Sequence, residues 1–139
     1  MTLLEVLIAL IVVSIGLLGV AALNVKTLGA NRTALLRARA VLLAADMADR
    51  IRANRLPDDA YDCGGTCQPG SGGNPVAVGD IADWTAAVVA GLPAGRAEIA
   101  RQLPTPGTPT TYVVRVSWDE ADAGDRHAFE LTVQRGGAT

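Results

Sequence analysis

Residues 6–25 read VLIALIVVSIGLLGVAALNV, a run without a charged side chain in which Ser14 and Asn24 are the polar exceptions. Wound as a helix, about 20 residues rising ~1.5 Å each cover ~30 Å, the thickness of a bilayer's hydrocarbon core. A buried helix of a soluble protein would need apolar cover on every side. In a chain of 139 residues with 4% aromatic content, too little remains to provide it. The stretch therefore predicts a membrane-inserted helix near the N-terminus, and the rest of the chain is read outward from it.

The flanks of this run set up a conflict. Lys26, Arg32, Arg37 and Arg39 follow it, and the positive-inside tendency alone would hold the C-terminal part in the cytoplasm. Yet that part carries Cys63 and Cys67 in a Gly-rich loop, which suits an oxidising compartment. A short basic leader ahead of Met1, removed without the apolar run, reconciles the two; an ordinary secretory signal would lose the apolar run as well.

On the N-terminal side stands Glu5. An ionisable group beside a membrane span calls for a partner. One reading is local: a carboxylate in the first turn complements the positive helix end, worth about 0.3–1 kcal/mol. The other looks to the free terminal amine of a second subunit. Two unit charges ~4 Å apart at an effective dielectric near 20 attract by about 4 kcal/mol before desolvation is subtracted. Such a pair also fixes axial register between helices whose Leu-rich surfaces slide in lipid.

Met1-Thr2-Leu3-Leu4-Glu5-Val6-Leu7-Ile8-Ala9-Leu10 resembles the mature N-terminus of type IV pilins and of the related type II secretion pseudopilins. The resemblance implies cleavage by a prepilin peptidase, N-methylation of Met1, and assembly through Glu5 with Met1 and Thr2 beside it. Met1 departs from the usual phenylalanine of that family. Ser14 to Gly19, Ala34 to Arg37 and Asp46 to Arg55 are similar to the PilV-type minor pilins, the pilus modification proteins. The likeness covers about the first 55 residues. Ala22 in place of a helix-kinking proline, and no cysteine pair near the C-terminus, separate the chain from major pilins.

The resemblance implies a single pass through the inner membrane with a periplasmic C-terminal part, displayed on the cell surface when assembled. Its partners would be other minor pilins, the major pilin, membrane lipid and the peptidase. The job implied is priming pilus assembly in a small complex, with incorporation at the tip. A minor pseudopilin of type II secretion and a pilus-associated adhesin are the alternatives.

Beyond Val25 the pattern becomes amphipathic. Ala34, Ala38, Val41, Ala45 and Ala48 recur at helical spacing beside Leu35, Leu42 and Ile51, and this stripe is expected to face the sheet. One helix is predicted from Thr2 to Arg55, stopped by Pro57. Under the pilin resemblance, Ser14 to Gly19 is where it would loosen inside a filament. Residues 26–55 hold seven basic and two acidic side chains, residues 56–139 five and eleven. Solvated faces, steering between unlike subunits, and contact of Arg37 and Arg39 with anionic headgroups are the open readings.

Residues 56–79 read as a loop with a disulfide between Cys63 and Cys67, free thiols being the alternative. A helix is expected from Asp80 to Ala90, opened by Asp80 with Asp83 in a capping-box-like pattern, and with Trp84, Val88 and Val89 on one stripe. A strand is predicted over 96–102. Two clearer ones follow, with Tyr112, Val114, Val116 and Trp118 alternating in the first and Phe129, Leu131 and Val133 in the second. The organisation is thus 1–25 as the assembly half of a helix, 26–55 as its amphipathic half, and 56–139 as a globular part, together an α+β fold.

Reactive chemistry is thin. Two cysteines and His127 as the one histidine leave no zinc site. The acidic stretch 119–125 lacks the spacing of a calcium loop and reads as a solvated hairpin. Ser71 and Ser117 have no evident acid–base partners, and His127 is placed at a strand start. With 12 basic and 14 acidic residues, nucleic-acid binding is not expected. No enzyme activity, small-molecule substrate, cofactor or metal is predicted.

Overall fold

A computed structural model describes residues 2–54, 60–102, 110–120 and 126–134. The elements are helix α1 (Leu3–Ala53), strand β1 (Gly65–Thr66), helix α2 (Pro75–Gly91), and strands β2 (Arg96–Gln102), β3 (Thr111–Asp119) and β4 (Arg126–Gln134). The fold is α+β: a long N-terminal helix packed on a small antiparallel four-stranded sheet of order β1-β2-β3-β4.

Helix α1 is 51 residues long, about 77 Å at the standard rise. It is unbroken through Gly16, Gly19 and Gly29. The chain divides into two compact units, Met1–Leu35 and Leu36–Thr139. In the first, every described residue but the half-buried Thr33 is exposed. In the second, α1 contributes Leu36, Ala40, Ala44, Met47, Ala48 and Ile51 to the core. The helix ends where Asn54 N–H donates to the Arg50 carbonyl. The Arg55 and Pro57 boundary signals lie outside the described residues.

The buried stripe of α1 is not the expected one. Of that set only Ala48 and Ile51 are buried, while Leu35, Val41 and Leu42 are 51%, 42% and 69% exposed. This half of the helix has two apolar faces, and periodicity reports both without saying which meets the core. The sheet meets the face where Ala40, Ala44 and Ala48 alternate with Leu36, Met47 and Ile51, which combines close backbone approach with large side chains to pack.

Helix α2 begins five residues earlier than Asp80. Asn74 caps it, its side-chain oxygen accepting from Ala77 N–H at 2.9 Å, and Pro75 fills the first position, where a missing N–H costs nothing. Asp80 is therefore interior, and Asp83 is exposed. Ala77, Ile81, Trp84 and Val88 form the buried stripe; Val89 is 61% exposed. Trp84 is fully buried and donates its indole N–H to the Leu43 carbonyl of α1 at 2.8 Å. Its indole thus joins the two helices and satisfies its polar atom at once. After α2 the chain turns tightly. A Cβ on Gly95 would lie 2.5 Å from the Val88 carbonyl oxygen, so only glycine fits there.

In the sheet, Ala97 and Ile99 of β2, and Tyr112, Val114, Val116 and Trp118 of β3, are buried. The alternation expected for β3 holds, with Ser117 buried as well. On the outer face, Glu98, Arg115 and Glu130 are in register across three strands. Arg115 approaches Glu98 at 3.8 Å and Glu130 at 3.4 Å. His127 stands second in β4 and stacks on Trp118, with ring centroids 5.8 Å apart.

Candidate assembly site

The first turn of α1 explains how a carboxylate comes to stand beside an apolar span. Glu5 N–H reaches the Thr2 carbonyl at 3.1 Å and the Thr2 hydroxyl at 3.4 Å. Thr2 thus caps the helix, and Glu5 sits three residues later, the spacing of a capping box. The Glu5 side chain is exposed, and no basic side chain among the described residues pairs with it. Met1, whose amine and N-methylation enter the expected contact, lies outside the described residues. The described contacts of Glu5 are those of its backbone N–H with Thr2; they place the carboxylate in the first turn of the helix, where it complements the positive helix end.

Below this turn the helix presents an almost wholly apolar surface. An 18-residue window of it is long and apolar enough to cross a membrane, and none of that window is buried within the chain. Its hydroxyls are turned inward on the helix itself. Ser14 donates to the Leu10 carbonyl at 2.7 Å and Thr27 to that of Leu23 at 2.9 Å. Neither hydroxyl therefore needs water as a partner, and an unsatisfied hydroxyl away from water is costly. A Cβ built on Gly16, Gly19 or Gly29 would meet nothing within 4 Å, so the glycines leave shallow places where another helix can approach.

In the globular unit, a polar cluster ties the end of α1 to α2. Arg50 bonds Asp46 at 3.0 Å and Asp80 at 3.1 Å. The Tyr61 hydroxyl donates to Asp80 at 2.6 Å and accepts from Asn54 at 2.9 Å. No spacing in the sequence signalled this cluster, because its members come from three separate segments.

Cys63 and Cys67 form a disulfide. Their N–H groups donate to the carbonyls of Ile99 and Ala97 at 3.2 and 2.8 Å. The staple therefore holds β1 against β2, where the sequence suggested only a loop. Among the described residues no cluster of three metal-ligating side chains exists. Asp119 pairs with Arg126 at 3.0 Å and Glu120 lies 3.5 Å from His127 Nε2; the remainder of the acidic stretch, 121–125, lies outside the described residues.

No family model matches the sequence, and no curated protein or solved structure matches the chain. The reading that follows rests on the residues and their geometry.

Proposed function

We propose that this chain is a membrane-anchored minor pilin of the PilV type, a subunit whose work is assembly. The observation that carries the reading is the pairing of an exposed Glu5, without a basic side-chain partner among the described residues, with a helix whose apolar window finds no cover among those residues. An uncovered apolar span has no role in an isolated subunit, and the helix end alone accounts for only about 0.3–1 kcal/mol at Glu5. Together they specify a neighbour: lipid or other apolar helices around the span, and a cation at the height of Glu5. The mature amino end of an adjoining minor or major pilin supplies that cation, with Met1 and Thr2 of each chain next to the contact. The inner membrane holds the subunits before extension, and the globular unit faces the periplasm.

The test is Glu5→Gln, which keeps shape and removes charge. Complexes recovered from membranes after cross-linking are expected to fall by about tenfold, matching the loss of ~1.4 kcal/mol or more of pairing free energy. Complexes and fibres at wild-type levels overturn the reading. Loss of pili, rather than loss of exported proteins, on deletion separates it from the pseudopilin alternative.

A further inference from the structure

Between Glu5 and Asp46 the chain carries four cations, Lys26, Arg32, Arg37 and Arg39, and no acid. The structure divides them. Arg39 is engaged inside the globular unit, where its guanidinium donates to the Gly91 carbonyl at 3.4 Å, at the C-terminal end of α2. Arg37 belongs to that same unit. Lys26 and Arg32 lie in the other unit, Met1–Leu35, together with the apolar run. Both are exposed, and their side chains make no hydrogen bond or ion pair among the described residues.

Their height is set by α1 itself. The uncharged run ends at Val25, so Lys26 stands ~1.5 Å beyond it and Arg32 about 10 Å beyond. The headgroup layer on each side of a bilayer is roughly 5–8 Å thick. In an α-helix the Cα–Cβ bonds tilt toward the N-terminus, which here is the direction of the span. Both long side chains therefore slope back toward the end of the apolar run, and their flexible apolar stems let each charge settle in the headgroup layer. The two residues lie about 120° from each other round the helix, so they meet lipids on two sides of it.

The helix of a second copy does not supply the anion. Anchored in the same bilayer, it stands at the same height and sets cation beside cation. The nearest acid beyond Arg32 on α1, Asp46, is about 21 Å further on. That is more than twice the ~8 Å Debye length at physiological salt, and Asp46 already pairs with Arg50 at 3.0 Å.

We propose that Lys26 and Arg32 bind the phosphate groups of anionic phospholipids on the side of the membrane where the globular unit lies, and so fix the depth of the span. This rests on the reading of the chain as a membrane-anchored subunit and names the class of lipid that holds it.

Trace spin-labelled lipids test this with the full chain reconstituted in phosphatidylcholine bilayers at low salt. Labelled phosphatidylglycerol is expected to be motionally restricted by the protein in preference to labelled phosphatidylcholine, with association about fivefold tighter for each cation. The preference should vanish in 1 M salt. The double variant Lys26→Gln, Arg32→Gln should bring the two lipids level. Arg96→Gln, Arg115→Gln, which removes the same charge from the globular unit, should leave the preference in place. Equal restriction of both lipids by the wild-type chain overturns the proposal, as does equal loss of preference in the two double variants. Lys26 is the single lysine of the chain, so its acetylation reports a protein occupant. Acetylation that is slow in native membranes, yet not slowed by phosphatidylglycerol in reconstituted ones, gives the site to another subunit and overturns the lipid. If neither lipid is restricted, the span is not inserted and the anchor reading falls as well. If Glu5→Gln leaves complexes intact while the preference persists, the assembly reading falls and the lipid contact stands.

Discussion

The Tyr61 hydroxyl donates to the Asp80 carboxylate at 2.6 Å while Arg50 reaches the other oxygen of that carboxylate at 3.1 Å. One acceptor thus joins α1, the segment following it, and α2. Tyr61 is 2% exposed. Burial, and then its bond to the Asp80 carboxylate, push its pKa from 10.0 up to about 12. At Arg50 burial acts to lower the pKa, but Asp46 and Asp80 together outweigh it and the net movement is upward.

The alkaline consequence has a definite sign. Tyr61 holds its proton more tightly folded than unfolded, so its contribution is complete below pH 10.0 and fades as pH rises through about 12. Urea unfolding in detergent should show stability declining over that window. In Tyr61→Phe, the decline attributable to this residue disappears, and stability near neutral pH falls by about 1 kcal/mol from the lost hydrogen bond. A wild-type alkaline profile in the variant would contradict the assignment.

Asp80→Ala removes the shared acceptor and leaves the buried Tyr61 hydroxyl without its carboxylate partner. Hydrogen bonds to charged groups are worth about 1.5–3 kcal/mol. Arg50 retains Asp46 at 3.0 Å, so the expected loss lies toward the lower end. Asp46→Ala touches only the exposed arm of the cluster, with Asp46 51% exposed, and should cost less than about 1 kcal/mol. Equal losses in the two variants, measured by urea midpoints, would show that Asp80 is no hub.

The start of α2 offers a simpler test. Asn74→Ala deletes the acceptor for Ala77 N–H and should cost about 1 kcal/mol. Asp83→Ala should be nearly neutral, since that exposed side chain caps nothing. The reverse order in thermal unfolding would restore Asp80 as the helix start.

How far these features could be read beforehand depends on their physical origin. The apolar run 6–25 and the Val/Tyr/Trp alternation of β3 are local and periodic, and the helix and strand appear where the sequence puts them. Glu5 was legible because charge beside an apolar run stands out. The buried face of α1 was not: Ala34, Ala38 and Val41 repeat as regularly as Leu36, Ala40 and Ala44, and only tertiary packing selects between them. At α2, Asp80 and Asp83 imitate a cap while Asn74-Pro75 is the cap, two local signals of similar strength. The Tyr61–Asp80–Arg50 cluster and the pairing of β1 with β2 are long-range products of folding, with no local signature at all.

The disulfide joins these themes. Cys63 and Cys67 are four positions apart, and closing so short a loop stabilises by about 2 kcal/mol in the chain-entropy estimate. The doubly substituted Cys63→Ser, Cys67→Ser chain should therefore lose roughly that much stability in urea unfolding. A second effect follows from position. With β1 unstapled, its two ladder pairs, Gly65↔Ile99 and Thr66↔Glu98, are too few to hold a strand, and the outer edge of β2 opens. Among the described residues the sheet then has two unstapled edges, on β2 and on β4, running parallel to each other because both are antiparallel to β3. Head-to-tail pairing between copies becomes possible, and such contacts do not close on themselves. Sedimentation in detergent should show the variant forming concentration-dependent oligomers where the oxidised wild type does not. If the variant is destabilised yet sediments as the wild type, the hairpin contributes to folding alone and the role of β1 as an edge guard is refuted.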